Sequence, residues 1–589
     1  MNALTTYSAI YMVFFGCFLQ AQTVTTNAEL NTAINNAVPG TTITLATGTW
    51  TNVQLNFAKN GTSATPITIK AQAPGSVFIE GKSWIRMGGS YIVVEGLVFQ
   101  NPSNLDTSRP IIEFKGSNTD CNHCKITNIK IDTYNGTESQ KTSTYKWVLI
   151  EGQYNEISYC SFIGKYGIGS IINDNRNTSA ADYTKIHHNY FAGRTPINAV
   201  NEDNDQDAIR IGNSATSLSD SFTEVYNNYF YNFSGEIEVI SNKSGSNKYY
   251  NNTFENYQGA LTLRHGNNCE VFNNFFFANG NPFSAGVRVM GEGHKIYNNY
   301  IQDVRSRYEN GSLSNGVGGI NIANGRTDGV LNGYLPVKNT TIINNTFVNC
   351  DYGIRVGTKF DASQSVAPDN VILGNNIIFL DATIANESTN RAIQVVTQLT
   401  GALSKYENNM KQAGIWDSFG AVTATGNVNV PSGLLVPATY FYRITSGSAA
   451  IDYGLGNYTF LDKDILGGIR PAALFDAGAE EFGSGGTFLP YKITDVGVTV
   501  GFGGSPALSV SQKTPDVQNL KIYPNPIIGD YLNVLSKDKA IGRITIVDIT
   551  GKVVLEKSIQ NVSGHINVSN LSKGIYVVKV QGISKLFVK

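Results

Sequence analysis

The sequence predicts an all-β protein in which a right-handed parallel β-helix is followed by a small C-terminal β-sandwich. Charged residues make up only 15% of the 589 residues, whereas Gly, Asn, Tyr and Phe are frequent, a composition typical of strands and turns. Short apolar-polar alternations run through most of the chain, and an asparagine-rich motif returns at a nearly constant interval. A chain of this length exceeds one ordinary domain unless that domain is a solenoid.

The repeated motif consists of two polar residues followed by two bulky ones. From Asn228 to Asn299 its second asparagines are 24, 22 and 25 residues apart, which fits one coil of a β-helix per repeat. Asparagine tolerates the left-handed backbone of a corner and can stack its amide on the next coil. We expect both bulky residues to point inward as a ladder. The copies are His188–Phe191, Asn227–Phe230, Asn251–Phe254, Asn273–Phe276, Asn298–Ile301, Asn344–Phe347 and Asn375–Ile378.

Composition divides the chain into four parts. The apolar run within residues 1–21 predicts a signal peptide, with a lipoprotein signal through Cys17 as the alternative. Residues 22–483 are assigned to the β-helix, with a short capping helix near its start and the catalytic coils at about 200–330. Residues 484–518 begin Gly/Ser-rich and are interpreted as a linker. Residues 519–589 alternate like a compact β-sandwich.

The five cysteines outside the predicted signal do not form a full disulfide framework, because their number is odd. Cys121 and Cys124 enclose Asn-His, and a local disulfide or a plain loop is favoured over a metal site because no second ligand pair accompanies them. Cys160, Cys269 and Cys350 each lie beside apolar positions and are predicted to be buried.

Net charge excludes some classes of partner. A formal charge of −1 gives no bulk field for nucleic acid or a membrane surface, and after the signal no stretch is apolar enough to span a bilayer. An anionic substrate would therefore have to meet a local basic cluster.

Such a cluster is predicted around residues 235–266. Glu236 and Glu238 alternate with apolar residues, so an extended strand would place both carboxylates on one face. Lys243 follows at an expected bend, and Arg264 lies in the next alternating run. The coil length adds Arg210 and Arg288 to the same exposed column.

These residue types favour one chemistry. Two carboxylates with one more oxygen donor suit Ca²⁺, and a lysine and an arginine beside it suit β-elimination next to a sugar carboxylate. Three other interpretations are a solvated face with Glu–Arg pairs, a non-catalytic glycan-binding adhesin, and a glycoside hydrolase with paired acids.

The motif Glu-x-Glu, then Lys243 within Ser-Asn-Lys-Ser, then Arg-His-Gly resembles polysaccharide lyase family 6, the chondroitinase B and alginate lyase family, over roughly residues 23–379. The resemblance implies Lys243 as base and Arg264 as acid or charge stabiliser. It implies calcium as cofactor, with Asn204, Glu236 and Glu238 as ligands, and it implies substrate binding by His265, Arg288, Arg210 and Arg307.

The substrate implied by the resemblance is an anionic uronate polysaccharide. Alginate is preferred over dermatan sulfate because the Ser-Asn-Lys-Ser and Leu-Thr-Leu-Arg-His-Gly wording is closer to the alginate branch. A sulfated substrate should also attract more Lys and Arg than this stretch contains.

The C-terminal part carries a second resemblance. Tyr-Pro-Asn-Pro at 523–526 and Gly-Ile-Tyr-Val-Val-Lys-Val at 574–580 are similar to the sorting domain of the type IX secretion system. This implies a partnership with that machinery and a secreted or cell-surface location. The alternative is a carbohydrate-binding sandwich.

Overall fold

A computed structural model describes residues 21–198, 204–381, 390–501, 520–523, 527, 529–536, 540–548, 552–580 and 583–589. The chain divides into two compact units, Met1–Gly503 and Gly504–Lys589. The predicted signal peptide lies outside the described residues as far as residue 20, and Ala21 begins the first strand.

The first unit is a parallel β-helix, as predicted. Most coils contribute one strand to each of three sheets, so backbone hydrogen bonds run from coil to coil. The first sheet contains Ala21–Val24, Thr42–Leu45, Ile67–Ala71, Ile92–Glu95, Lys125–Thr127, Glu156–Ser158, Lys185–His187, Glu224–Tyr226, Lys248–Tyr250, Glu270–Phe272, Lys295–Tyr297, Thr341–Ile343, Ile372–Gly374, Lys405–Glu407 and Thr423–Thr425.

The second sheet is named the site sheet because it carries most of the candidate site residues. It contains Gln54–Asn60, Trp84–Ser90, Ile112–Glu113, Lys115–Gly116, Thr119–Asn122, Val148–Ile150, Ile172–Asp174, Ile209–Gly212, Glu238–Lys243, Gly259–His265, Ser284–Val289, Ile320–Ala323, Tyr352–Thr358, Arg391–Val395 and Ile415–Trp416. Its pairs are parallel except for the short hairpin of Lys115–Gly116 with Thr119–Asn122.

The third sheet closes the solenoid. It contains Gly48–Thr51, Val77–Gly81, Leu97–Pro102, Lys130–Asp132, Ser161–Ile163, Tyr190–Arg194, Tyr229–Phe233, Thr253–Glu255, Phe275–Phe277, Tyr300–Gln302, Thr346–Val348, Ile377–Phe379, Met410–Gln412 and Val428–Asn429. Short helical segments are Glu138–Gln140, Ser214–Thr216 and Val498–Gly501.

The predicted capping helix is Asn27–Asn36. Its N-cap is Thr26, whose side chain accepts a hydrogen bond from the Glu29 backbone N–H at 3.2 Å. Leu30 and Ile34 are buried, so the helix covers the apolar end of the first coils.

Asparagine was predicted to turn the corner and to stack its amide on the next coil, and the two polar residues of each repeat perform one of these roles each. The first turns the corner in the left-handed region, with φ of 56° at Asn227 and 55° at Asn251. The second is buried, and its amide continues from coil to coil: Asn228 Nδ2 donates to Asn252 Oδ1 at 3.0 Å, and Asn252 to Asn274 at the same distance. This ladder satisfies buried polar groups at a corner that has no strand hydrogen bonds.

Only the second of the two bulky residues points inward. The rings of Phe230, Phe254 and Phe276 stack inside the solenoid at 4.5 and 4.6 Å between centroids. The preceding residues, such as Tyr229 and Phe275, face outward under other segments. The prediction that both point inward was wrong, because adjacent residues of a strand face opposite sides.

Residues 484–501, here named the strap, pack on the outer face of the third sheet. Val496 is buried with Tyr190 and Tyr229, and the Tyr491 backbone N–H donates to Thr253 Oγ1 at 2.8 Å. This differs from the predicted linker, of which residues 502–518 lie outside the described residues. The strap begins with Gly and Ser, so its composition predicted a linker. A few apolar residues further along, such as Val496, hold it on the third sheet.

A truncated protein ending at Gly483 is therefore expected to unfold a few degrees below one ending at Gly503, because loss of the strap exposes Tyr190 and Tyr229 to water. Scanning calorimetry of the two proteins measures this difference. Equal midpoints would show that the strap adds nothing to the stability of the β-helix.

Cys121 and Cys124 form a disulfide with a Cα–Cα distance of 5.9 Å. Cys160, Cys269 and Cys350 are free and buried. The local disulfide, one of the two favoured alternatives, and the predicted burial of the other three cysteines are thus confirmed.

Asp174 is a buried carboxyl inside the solenoid. It accepts a hydrogen bond from Thr223 Oγ1 at 3.2 Å, while neighbouring Asp182 pairs with Arg176 at 2.8 Å. Burial, together with the charge of Asp182, raises the pKa of Asp174 well above its ordinary value. The folded state therefore favours the protonated form.

The substitution Asp174→Asn is expected to raise the unfolding temperature at pH 7, and the gain should vanish below about pH 4, where the unfolded aspartate is protonated too. The sign follows because a raised folded-state pKa costs stability as the pH rises above the unfolded-state pKa. Asp182→Asn is the matched control and should destabilise, because it leaves Arg176 buried without its ion pair. Melting curves of the two variants and the parent protein from pH 4 to 8 measure both effects. A gain for Asp174→Asn that does not depend on pH would contradict the raised pKa.

The second unit contains two antiparallel sheets. One has Leu520–Tyr523, Tyr531–Ser536 and Ser563–Asn567, and the other has Gly542–Asp548, Val553–Ile559, Ile575–Val580 and Ile583–Val588. Leu532, Ile544 and Phe587 belong to its buried core. In the part of the chain that the structure describes, no helix is long and apolar enough to cross a membrane.

Candidate active site

The central strand of the candidate site is Glu238–Lys243. Its register aligns Ser241 with Arg210 on one neighbouring strand and with Thr262 on the other, and Thr262 aligns with Arg288. The predicted column is therefore only partly present. Arg210 and Arg288 share it through Ser241 and Thr262. Glu238 lies three residues before Ser241, and Arg264 falls at a register shift between Leu263 and His265.

Lys243 lies at the end of this strand rather than at a bend, and it pairs in register with Gly212 and His265. Its side chain is partly exposed. Arg264 precedes His265 on the adjacent strand, so the predicted base and acid occupy the same end of two neighbouring strands.

Glu238 is buried against two guanidinium groups. Its Oε1 lies 3.2 Å from Arg288 Nη1 and 4.0 Å from Arg264 Nε. Burial acts to raise the pKa of Glu238, but the two arginines outweigh it and hold the pKa below its ordinary value. Glu238 is therefore an ionised carboxylate.

Glu236 precedes the strand and is only 3% exposed. Its Oε1 accepts a hydrogen bond from the Gln206 backbone N–H at 2.9 Å. Burial and the carboxylates of Asp207 and Glu238 raise its pKa well above the ordinary value. Among the described residues no basic side chain forms an ion pair with Glu236.

Arg210 pairs with two aspartates rather than with the glutamates. It lies 2.5 Å from Asp205 and 2.9 Å from Asp207. Asp207 is fully buried, and burial raises its pKa despite Arg210; its second oxygen, Oδ1, has no hydrogen-bond partner. The sequence placed these aspartates beside Asn204 but gave no sign that they would neutralise Arg210.

Arg264 is held by a loop from a later coil. Its Nη1 donates to the Gly333 carbonyl at 2.5 Å, its Nη2 donates to the Asn332 carbonyl at 3.1 Å, and its guanidinium lies 4.5 Å from the centroid of the Tyr334 ring. Burial lowers the pKa of Arg264, although Glu238 opposes this. No motif in the sequence pointed to this loop.

His265 is 1% exposed. Its Nε2 donates to the Gly333 carbonyl at 3.2 Å, since a carbonyl can only accept, and its Nδ1 lies 3.3 Å from Ser214 Oγ. Burial, with Arg264 and Lys243 nearby, lowers its pKa to about 4. In this structure the neutral imidazole supports the loop over Arg264, and its predicted contact with substrate stays a prediction.

The remaining predicted residues lie at different distances from this centre. Asn204 is exposed, two residues before the Gln206 N–H that reaches Glu236. Arg288 is buried below the Phe360 ring. Arg307 is 3.8 Å from Asp351 and donates to the Gly311 carbonyl, so among the described residues its contacts are outside the glutamate–lysine–arginine cluster.

The acidic side chains of the site supply oxygen atoms of the kind that a hard cation binds. Glu236 has no ion pair in the described part of the chain, and Asp207 Oδ1 is buried without a partner. The described residues contain no group of three or more His, Cys, Asp or Glu side chains placed to bind a metal. A cation would therefore need the Asn204 amide or oxygen atoms of water and substrate, besides the glutamates.

A parallel β-helix with a lysine, an arginine and buried carboxylates on one sheet defines a candidate lyase for acidic polysaccharides. Residues 24–430 match the family model of chondroitinase B, and the chain belongs to this family, polysaccharide lyase family 6. A search of curated proteins finds no significant match.

Solved structures of polysaccharide lyase family 6 are similar to this chain. The family 6 alginate lyase AlyGC is 30% identical, with a TM-score of 0.62 over 75% of this chain and 60% of its own. A variant of AlyGC in which one arginine is replaced by alanine is 28% identical, with a TM-score of 0.64 over 81% of this chain and 58% of its own. A mannuronic acid specific family 6 lyase from human gut microbiota is 25% identical, with a TM-score of 0.57 over 70% and 92%. The chain thus spans about three fifths of AlyGC.

The second unit also has a family. Residues 521–589 match the model of a secretion system C-terminal sorting domain. This confirms the type IX sorting resemblance and indicates a secreted or cell-surface protein.

Proposed function

We propose that this polysaccharide lyase cleaves a 4-linked uronate polysaccharide, alginate, by calcium-dependent β-elimination. The observation that carries the proposal is the pairing of Lys243 with His265, which puts Lys243 and Arg264 at the same end of adjacent strands. The Glu238 carboxylate lies beside Arg264 on the same sheet.

In the proposed reaction, Lys243 Nζ accepts the proton from the sugar carbon next to the carboxylate. The electron pair of that C–H bond forms a double bond to the neighbouring carbon, and the bond from that carbon to the glycosidic oxygen breaks. Arg264 stabilises the leaving oxygen and gives it a proton. The products are a new chain end and an unsaturated uronate.

Calcium, when bound, neutralises the sugar carboxylate and so makes the adjacent C–H bond more acidic. Asn204, Glu236 and Glu238 would hold it. One observation supports this ligand set. Glu236 has a buried carboxyl group without an ion pair among the described residues, whereas Glu238 forms an ion pair with Arg288.

Two observations favour alginate over dermatan sulfate. AlyGC, at 28% and 30% identity in its two structures, is an alginate lyase. In addition, Arg210 and Arg288 are already neutralised by Asp205, Asp207 and Glu238, which leaves few unpaired cations for sulfate groups.

Incubation with alginate, dermatan sulfate and pectate tests the proposal. Ultraviolet absorbance of an unsaturated uronate is expected with alginate, well above the signal from the other two polymers. Cleavage with new reducing ends but no chromophore would indicate a hydrolase, and binding without cleavage an adhesin; either result overturns the proposal. Faster elimination from dermatan sulfate would overturn the choice of substrate alone.

A further inference from the structure

Five aromatic residues form a column of stacked rings at the corner between the site sheet and the first sheet, and all but Tyr91 are exposed. We name Tyr91, His123, Tyr154, Tyr183 and Phe222 the aromatic strip. Their rings stack from coil to coil at 4.6, 4.7, 4.8 and 5.4 Å between centroids, within 8° of parallel. Given the spacing of neighbouring strands, the strip is about 20 Å long.

The strip is open to solvent. Tyr154 is 47% exposed, Tyr183 39% and Phe222 43%. A contiguous apolar surface of this kind on an otherwise polar wall marks a contact surface for another molecule. Isolated exposed aromatics would carry no such meaning.

The backbone conformation of the strip disfavours aromatic residues. All five residues have positive φ, between 50° and 58°, where bulky side chains are disfavoured and asparagine or glycine is the usual occupant. At the same corner the next coils carry Ser246 and Asn268, also with positive φ. Elsewhere aromatic residues such as Tyr159 and Phe283 have positive φ too, but only here do they recur on five successive coils among the described residues, which indicates a role beyond turning the corner.

The disulfide fixes one member of the strip. Cys121 and Cys124 flank the turn that presents His123, and the His123 backbone N–H donates to the Gln153 carbonyl of the next coil at 2.9 Å. The strip is thus a rigid, pre-formed surface, which lowers the entropy cost of binding.

A polar cavity accompanies the strip. It has a volume of about 220 Å³, and Asn122, Gln153 and Asp182 in its lining each directly precede a member of the strip. The acidic side chains in the lining are paired with basic ones, Asp120 and Glu151 with Lys115 and Asp182 with Arg176, so their charge is balanced. The stacked rings cover one another's faces and present their edges and the tyrosine hydroxyl groups. With the amides of Asn122 and Gln153 beside them, these edges can contact the C–H groups and hydroxyl groups of a sugar.

The strip also leads toward the candidate active site. The coil after Phe222 turns the same corner at Ser246, three residues beyond Lys243. The strip and the strand ends that carry Lys243 and Arg264 lie on coils stacked along the axis of the solenoid, so one extended polymer can contact both. Two residues beyond Tyr183, Lys185 is exposed and supplies a positive charge for a uronate.

We propose that the aromatic strip binds the polysaccharide chain outside the candidate active site and holds a long substrate beside it. This inference rests on the proposed function for the identity of the polymer. Binding uses the ring edges and hydroxyl groups, and no chemical step occurs there.

The double variant Tyr154→Asn with Tyr183→Asn tests the proposal, because asparagine tolerates the same backbone and occupies it at residue 268. In the full chain carrying Lys243→Ala, so that no polymer is consumed, retention in alginate-containing gels should fall roughly five-fold. With Lys243 intact, KM should rise by a similar factor for alginate but not for a short alginate oligosaccharide, and kcat should be unchanged. Tyr231→Asn, an exposed tyrosine of the third sheet, is the control.

Unchanged retention, or absence of retention in the parent protein, overturns the strip as a binding site while leaving the lyase assay to stand by itself. An altered molecular mass by light scattering with unchanged retention also overturns it, since the strip would then bind a second copy of the chain. The strip would be supported and the proposed function rejected if the double variant loses retention while the parent protein with Lys243 intact eliminates no uronate.

Discussion

Replacing Lys243 by alanine is expected to lower the rate of β-elimination by about 10³-fold or more, because the change removes the proposed base. The side chain is partly exposed at a strand end, so its loss should leave the melting temperature of the protein almost unchanged. Initial rates of chromophore formation and a melting curve measure both quantities.

Lys248→Ala serves as the matched control. Lys248 is an exposed lysine on the first sheet, five residues further along the chain, and its removal should change the rate less than two-fold. A folded Lys243→Ala protein that retains a few per cent of the activity would show that another group is the base. His265 and Tyr334, the titratable neighbours of Arg264, would then be the residues to replace next.

Removal of divalent cations is expected to produce the second large effect. Exhaustive chelation should suppress elimination at least about ten-fold, and Ca²⁺ should restore it better than Mg²⁺, which demands tighter octahedral geometry. Elemental analysis before and after chelation is needed, because full activity in a protein free of metal would mean that the acidic residues are only partners of the arginines.

Glu236→Gln separates a metal site from a salt bridge more sharply than Glu238→Gln. Glu238 already pairs with Arg288 at 3.2 Å, so its replacement would disturb the site with or without a cation. Glu236 has no ion pair among the described residues, and its replacement should abolish the rise in melting temperature that Ca²⁺ produces in the parent protein. A calcium-induced shift of equal size in Glu236→Gln would rule this residue out as a ligand.

The pH dependence of calcium binding has a defined sign. Burial and the charges of Asp207 and Glu238 raise the pKa of Glu236, so in the absence of a cation a proton competes for this carboxylate. Calcium affinity, measured by titration calorimetry, should therefore increase as the pH rises. An affinity independent of pH would contradict the assignment of Glu236.

The sequence by itself determined the coil length, the role of asparagine at the corners and the sorting domain, because each depends on residues close together in the chain. The spacing of Glu236, Glu238, Lys243 and Arg264 was equally local, since it needs only one coil of known length. For the same reason the capping helix and the Cys121–Cys124 pair could be predicted from short stretches.

Only the tertiary structure decided the partners of these residues. The strand register aligns Arg210 with Ser241 rather than with Glu238 and leaves Arg264 at a register shift. A strand pattern alone encodes neither the register nor such a shift. The Gly333–Tyr334 loop reaches Arg264 across almost 70 residues, and the strap reaches Tyr190 and Tyr229 across more than 260. Contacts at such separations are selected by the surface left uncovered after the coils have stacked, which no local pattern specifies.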